Sequence, residues 1–296
     1  MLDVALFAVV AAQLLRIAMP YVGAALCGGV NEAAGNIDVA LEGKLLIGAF
    51  AAATSAHASG SPEVGIAAAL GAVIALTAVQ GWLSIRLQAD QVLVGVGLNL
   101  FAAGITRYLL HVLYGTTANS PQGPRLASLA ANPLLYLLLL GALALPWIFT
   151  ATPFGLRLRA AGSRAESLAQ LRLSPQMVRW QALLLSCYFA AFAGAALSLS
   201  LGKFVADMSG GRGYVAMAAV ILGHWEPRRI ALWCLAFAAL ETLGIRLQIH
   251  SLPGVKELLV VLPHVAVLLV LALWPGDVDS TRKSLHLIRR AKSKQT

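Results

Sequence analysis

Apolar runs close to the length of a bilayer crossing alternate with short polar joints along this chain, and that alternation leaves few folds open to it. A helix needs about 20 apolar residues to cross a hydrocarbon core. Runs from about Leu2 to Val30, Leu45 to Ala58, Val64 to Leu87, Gln91 to Tyr114, Pro133 to Thr150, Gln176 to Leu201, Ile230 to Arg246 and Leu258 to Trp274 meet or approach that length. One further run, Tyr214 to Gly223, has about half of it, so a re-entrant or tucked helix inside the bundle is expected there. The first run is interrupted by Arg16 and Pro20 and reads either as one kinked helix or as a helix with a re-entrant piece. Charged residues are 12% and hydrophobic ones 59% of the 296, against about a quarter charged in soluble domains. The expected fold is all-α: a polytopic transmembrane bundle of about eight to nine membrane helices, counting short or re-entrant pieces. It occupies residues 1–276 and is followed by a basic tail, residues 277–296.

A net charge of +9 would suggest nucleic acid in a soluble chain, but eleven of the 22 basic residues sit in two places. Arg157, Arg159, Arg164, Arg172 and Arg179 surround one polar insert; Arg282, Lys283, Arg289, Arg290, Lys292 and Lys294 fall in the tail. Basic residues concentrate in short cytoplasmic loops. Both places, and with them the C-terminus, are therefore expected on the cytoplasmic side, the tail against anionic lipid, with no nucleic-acid partner.

The insert, Phe154 to Pro175, is the longest polar, helix-capable segment between two spans. Ser163 and Glu166 have the S-x-x-E spacing of a capping box, which predicts a helix over 163–173. Leu168 with Leu171 or Arg172 gives it a narrow apolar stripe. Pro175 ends the turn and opens the next helix after Ser174. Two readings stay open: a helix resting on lipid headgroups, or a docking helix for a cytoplasmic partner, carried by Arg159, Ser163, Arg164, Glu166, Leu168, Leu171 and Arg172.

Polar residues inside a membrane are costly and mark either interhelical bonds or a wet pathway. Asn31 to Lys44 interposes Glu32, Asp38 and Glu42 between apolar runs; it is either an interfacial loop or irregular backbone enclosed by protein or water. Gly95, Asn99, Ala103, Arg107 and His111 recur every fourth residue, a face expected to turn away from lipid. Ser186, Ala190, Gly194 and Ser198 form a small-residue stripe suited to close helix packing. Gly210-Gly211-Arg212-Gly213 reads as a flexible external link. Cys27, Cys187 and Cys234 lie in apolar runs without pair or ligand spacing, the six histidines are scattered, and no catalytic or nucleotide-binding signature occurs. No metal, cofactor or catalytic group is expected in this chain, so energy must come from a partner or a gradient.

Four segments together resemble a family. Ile37 to Phe50, opening Ile37-Asp38-Val39-Ala40-Leu41-Glu42-Gly43-Lys44, resembles the early signature of permeases in bacterial ABC importers of the nucleoside and simple-sugar group, those served by basic-membrane-protein-type binding lipoproteins. Ala89 to Asn99 is similar to its fourth-span motif, Phe154-Gly155-Leu156-Arg157-Leu158-Arg159-Ala160-Ala161-Gly162 to the lead into its coupling helix, and Gly211 to Trp225 to its late motif. Asp38 departs toward the Asp of sugar permeases, and Ser163-Arg164-Ala165 replaces the usual Glu-Asn-Pro. The resemblance implies a multi-pass inner-membrane permease subunit for nucleosides, with simple sugars or a riboflavin-like vitamin as alternative solutes. It implies a second permease subunit, an extracytoplasmic binding protein, and a cytoplasmic ATPase that holds ATP and Mg. Asp38, Glu42, Asn99 and Arg107 are the expected pathway residues; interhelical bonding is the alternative for each. A rival mechanism, an ion-driven secondary transporter, predicts broken helices repeated across two halves, and no such repeat is read here.

Overall fold

The computed structural model describes residues 2–126, 133–250, 265–270 and 272. Its helices are α1 (Leu2–Ala33), α2 (Leu41–Ser59), α3 (Pro62–Gly81), α4 (Gln91–Tyr114), α5 (Pro133–Ala151), α6 (Pro153–Ser163), α7 (Ala165–Gln170), α8 (Pro175–Leu201), α9 (Arg212–Leu222) and α10 (Pro227–His250). A π turn, Trp82–Arg86, extends α3. Among the described residues five helices are long and apolar enough to cross a membrane, six if α5 and α6, bent by 76°, count as one span. The architecture is the expected all-α polytopic bundle. The first apolar run is one continuous helix with Pro20 inside it. Most of the Leu258 to Trp274 run and the basic tail lie outside the described residues; Val267 and Val270 join the apolar cluster of α1, α9 and α10.

The chain's punctuation follows its capping chemistry. Asp90 caps α4 by accepting from Val92 N and Leu93 N at 3.0 and 2.9 Å. Thr152 and Ser174 accept from Gly155 N and Met177 N, each ahead of a proline at the first helical position. Gly60, Gly115 and Gly202 close α2, α4 and α8 in the left-handed conformation.

At the centre lies α8, packed against α1, α2, α3 and α5. Its small-residue stripe is buried as expected. A Cβ on Gly194 would stand 2.6 Å from Leu45 O and 2.9 Å from Ala49 N, so the backbones of α8 and α2 touch there. With Glu42, Lys44 and His57, α2 is less apolar than its neighbours but is enclosed by them. The half-length run is α9: its eleven residues span about 16 Å, and seven of them are buried against α1, α2 and α10. It is tucked inside the bundle, as its length predicts.

Two sequence expectations change. The Ser163–Glu166 capping box does not form: Ser163 is the last residue of α6, and its hydroxyl donates back to Arg159 O at 2.8 Å. The apolar positions Gly155, Leu158 and Ala161 carry α6 through Gly162, which rests against the end of α1. That contact holds Ser163 in helical geometry, where it cannot cap. The break falls one residue later, at Arg164, whose carbonyl accepts from both Ser167 N and Ser167 Oγ, and the helix of the insert is α7 rather than 163–173. The Gly210–Gly213 link, secondly, is not free. Gly210 and Gly211 take positive φ, and Gly213 already belongs to α9. Ahead of it, residues 118–123 pair with 202–206 through Ser120 N to Phe204 O, Gly123 N to Gly202 O and Ala206 N to Ala118 O.

Gly194→Val should lower the thermal midpoint of the purified protein sharply, because a branched side chain meets α2 backbone rather than a side chain that can move; overpacking costs about 1–3 kcal/mol or more. Gly71→Ala, with nothing within 4 Å of its Cβ position, should leave the midpoint unchanged or slightly raised. Detergent-phase melting followed by size exclusion checks both.

Candidate functional site

The loop between α1 and α2 turns back into the bundle and buries a charge pair. Asp38 Oδ2 meets Lys44 Nζ at 2.6 Å, both side chains 0% exposed. Asn31 Nδ2 donates to the same oxygen at 2.5 Å and lies 2.9 Å from Ser186 Oγ. Gln80 Nε2 donates to Asp38 Oδ1 at 3.0 Å. Thus α1, α2, α3 and α8 each send one polar group to a single buried cluster. A buried carboxylate is tolerated when its charge is matched and its lone pairs are filled. Asp38 therefore does not border open space in this conformation. Lys44 and Gln80 escaped sequence reading; an isolated Gln in an apolar run was the available signal.

A second polar group surrounds the start of α9. Glu42 accepts from Gly211 N at 2.8 Å and Gly213 N at 2.7 Å, so the positive end of a half-length helix is matched by a carboxylate. A Cβ on Gly213 would lie 2.4 Å from Glu42 N, which is why a glycine stands there. Next to it, Asn99 of α4 accepts from Gly43 N at 2.8 Å and donates to Val39 O at 2.8 Å and Tyr214 Oη at 3.3 Å. Both ends of its amide are engaged, and the side chain clamps α4 to the first turn of α2. On the far side, Arg212 meets Glu241 at 2.6 Å, and Tyr21 Oη donates to the same carboxylate at 2.7 Å. Tyr214, Arg212 and Glu241 were not singled out in the sequence.

Arg107 lies eight residues beyond Asn99, about 12 Å along α4, and pairs with Asp207 of the α8–α9 loop. That pair is about half exposed, and the α4 face around it is exposed as well, including Gly97, Gly104, Tyr108 and His111. Glu42 and Asn99 thus come together, whereas Asp38 is enclosed beside them and Arg107 stands apart. The regular stripe on α4 turns inward through Gly95 and Asn99 and, partly, through Ala103, which packs on the cluster of Phe50 and Phe204; Arg107 and His111 face out.

The insert forms a platform at one end of the bundle. α6 crosses that end, and Gly155 permits the elbow: a Cβ there would stand 2.1 Å from Ile148 O. Arg159, Ser163, Arg164, Glu166, Leu171 and Arg172 are exposed, whereas Leu168 is buried in the main core cluster. Leu168 is a foot holding α7 down rather than part of its outer face. Arg86, Arg179, Arg228 and Arg229 share this end with the insert. Glu32 and Trp225 tie α1 to the α9–α10 turn through a 2.7 Å bond, in a turn where His224 and Trp225 both take positive φ.

The description "Branched-chain amino acid transport system / permease component" matches residues 10–272. The nucleoside ABC transporter permease of Lactococcus lactis subsp. cremoris is 28% identical over 295 residues, covering 90% of this chain and 92% of that protein. The guanosine ABC transporter permease of Bacillus subtilis is 25% identical over 94% of this chain and 96% of its own length. A putative glucose ABC transporter permease of Haloferax volcanii is 29% identical over 75% and 73%. No solved structure matches.

Replacing Lys44 with Met should destabilise the protein by about 3–5 kcal/mol, the range seen when one partner of a buried pair is removed. The double variant Asp38→Asn/Lys44→Met should recover most of that loss, since no net charge is then buried. Thermal unfolding of the three proteins tests the pair.

Proposed function

Because the chain belongs to the family of branched-chain amino acid transport system permease components, we propose that it is the permease subunit of an ATP-driven importer whose solute is a nucleoside. Its likeness to nucleoside and guanosine ABC permeases over nearly its whole length supports that solute. The observation that carries the mechanism is the exposed, basic α6–α7 platform, footed in the core through Leu168. In this reading the basic end faces the cytoplasm of a bacterial inner membrane, in keeping with the bias of short cytoplasmic loops. A partner ATPase, holding ATP and Mg, grips α7 through Arg164, Glu166, Leu171 and Arg172, with Arg159 and Ser163 at its edge. Closure of two such ATPases pushes α7, and the push enters the bundle where Gly162 abuts Ala33 and Gly35, just ahead of Asp38.

A second permease subunit, identical or different, completes the pathway on the side where α4 is exposed, and an extracytoplasmic binding protein delivers the solute. Tyr214, about half exposed beside Asn99 and Glu42, offers an aromatic face for a base and hydroxyl partners for a ribose. Arg107 and Asp207 line the same route further out. Asp38 faces Lys44, so its identity does not bear on the choice of solute. The glucose reading rests on the archaeal relative and becomes the alternative outcome of the uptake test.

Leu171→Asp should abolish co-purification of the ATPase while leaving the permease folded, because Leu171 is 70% exposed. Unchanged association would overturn the assignment of α7. Leu168→Asp should instead lower the thermal midpoint. For the solute, uptake of labelled guanosine by cells carrying the full transporter should exceed glucose uptake by at least about tenfold. It should persist when an uncoupler collapses the proton gradient and cease in a hydrolysis-deficient ATPase background.

A further inference from the structure

Beneath the α5–α6 elbow, open toward the start of α10, lies a cleft of about 1170 Å³. One side of it is apolar and open along the bundle, built from Leu143, Pro146 and Trp147 on α5; Arg159 from α6 and Arg228 from α10 also line it. Two carboxylates also border it, but both are engaged within the protein: Glu32 accepts from Trp225, and Glu226 pairs with Arg229 at 2.7 Å. Among the described residues Arg159 and Arg228 have no acidic partner. Both are exposed, as is Trp147.

We propose that this cleft is a binding site for one anionic phospholipid, whose phosphate lies between Arg159 and Arg228 and whose acyl chain runs along Leu143, Pro146 and Trp147. The shape and the charge fit together. Leu143 stands eight residues before the end of α5, about 12 Å in from the elbow, a depth an acyl chain reaches and a soluble partner resting on the platform does not. Basic pockets between membrane helices recognise phosphate headgroups, guanidinium is suited to forked contact with phosphate, and a tryptophan at this level matches the interfacial belt. A lipid here would wedge the elbow against the α9–α10 turn, so occupancy bears on how firmly α6 is held. The inference needs only a membrane-embedded chain and stands whether or not the solute is a nucleoside.

The experiment is native mass spectrometry of the purified transporter complex from mixed micelles containing phosphatidylglycerol or phosphatidylcholine. One phosphatidylglycerol should survive delipidation and phosphatidylcholine should not. Arg159→Gln/Arg228→Gln should weaken retention about 30-fold, equivalent to about 2 kcal/mol, while Arg86→Gln, at the same end but outside the cleft, should leave it unchanged. Acyl-brominated phosphatidylglycerol should quench tryptophan fluorescence more than the brominated choline lipid, and Trp147→Phe should remove the difference. Equal retention of the two lipids, or full retention by the double variant, would overturn the proposal. A double variant that keeps the lipid but sheds the ATPase would replace it with a protein contact.

Discussion

Everything at the centre of this bundle is arranged around one enclosed charge pair. Asp38 and Lys44 lie only six residues apart, but their contact draws the α1–α2 loop inward. Once the pair is buried, the remaining lone pairs of Asp38 dictate the neighbours: Asn31 and Gln80 must be within reach, Asn31 in turn bonds Ser186, and those positions fix the rotation of α1, α3 and α8. In a low-dielectric interior an unmatched charge or lone pair is heavily penalised. A slip of α1 by a single residue would break both bonds of Asn31, and a slip of α3 or α8 would break the bond of Gln80 or Ser186. The pair therefore acts on register more than on net stability.

Starting α2 deep in the bundle has a second effect. Its first turn meets the N-terminal end of α9, which is too short to cross a bilayer and so ends inside. Free N–H groups at that end need an acceptor, and Glu42 supplies both oxygens. Asn99 then ties α4 to the same turn. Three helices that are distant in sequence converge there, with Tyr214 exposed at their edge.

Element placement was largely legible because apolar length is a strong signal. α4 runs over the predicted Gln91 to Tyr114, and α9 is the tucked half-helix its length implied. The small-residue stripe of α8 was also readable, since a repeat of Ser, Ala, Gly and Ser every fourth residue has few uses other than close packing. The misses arose where tertiary contact overrode a local pattern. Ser163 has the spacing to cap a helix, but Gly162 packs on α1 and keeps the serine inside the preceding one. Gly210 to Gly213 has the composition of a loose link, but its glycines serve tight turns and close approach to Glu42. Asp38 and Asn99 were visible as polar residues in an apolar chain; that each is held by protein groups depends on Lys44, Gln80 and backbone atoms that no local window brings together.

The seam between α8 and α2 carries a mechanical consequence. It is made from Gly48, Ala49, Ala190, Ala191 and Gly194, so backbone lies on backbone with few protruding side chains. Interlocked leucines resist translation because each knob must leave its hole. Smooth surfaces lack that ratchet, and two such helices can slide by a fraction of a turn while keeping most of their dispersion contact. A deeply buried junction is thus also one suited to shear.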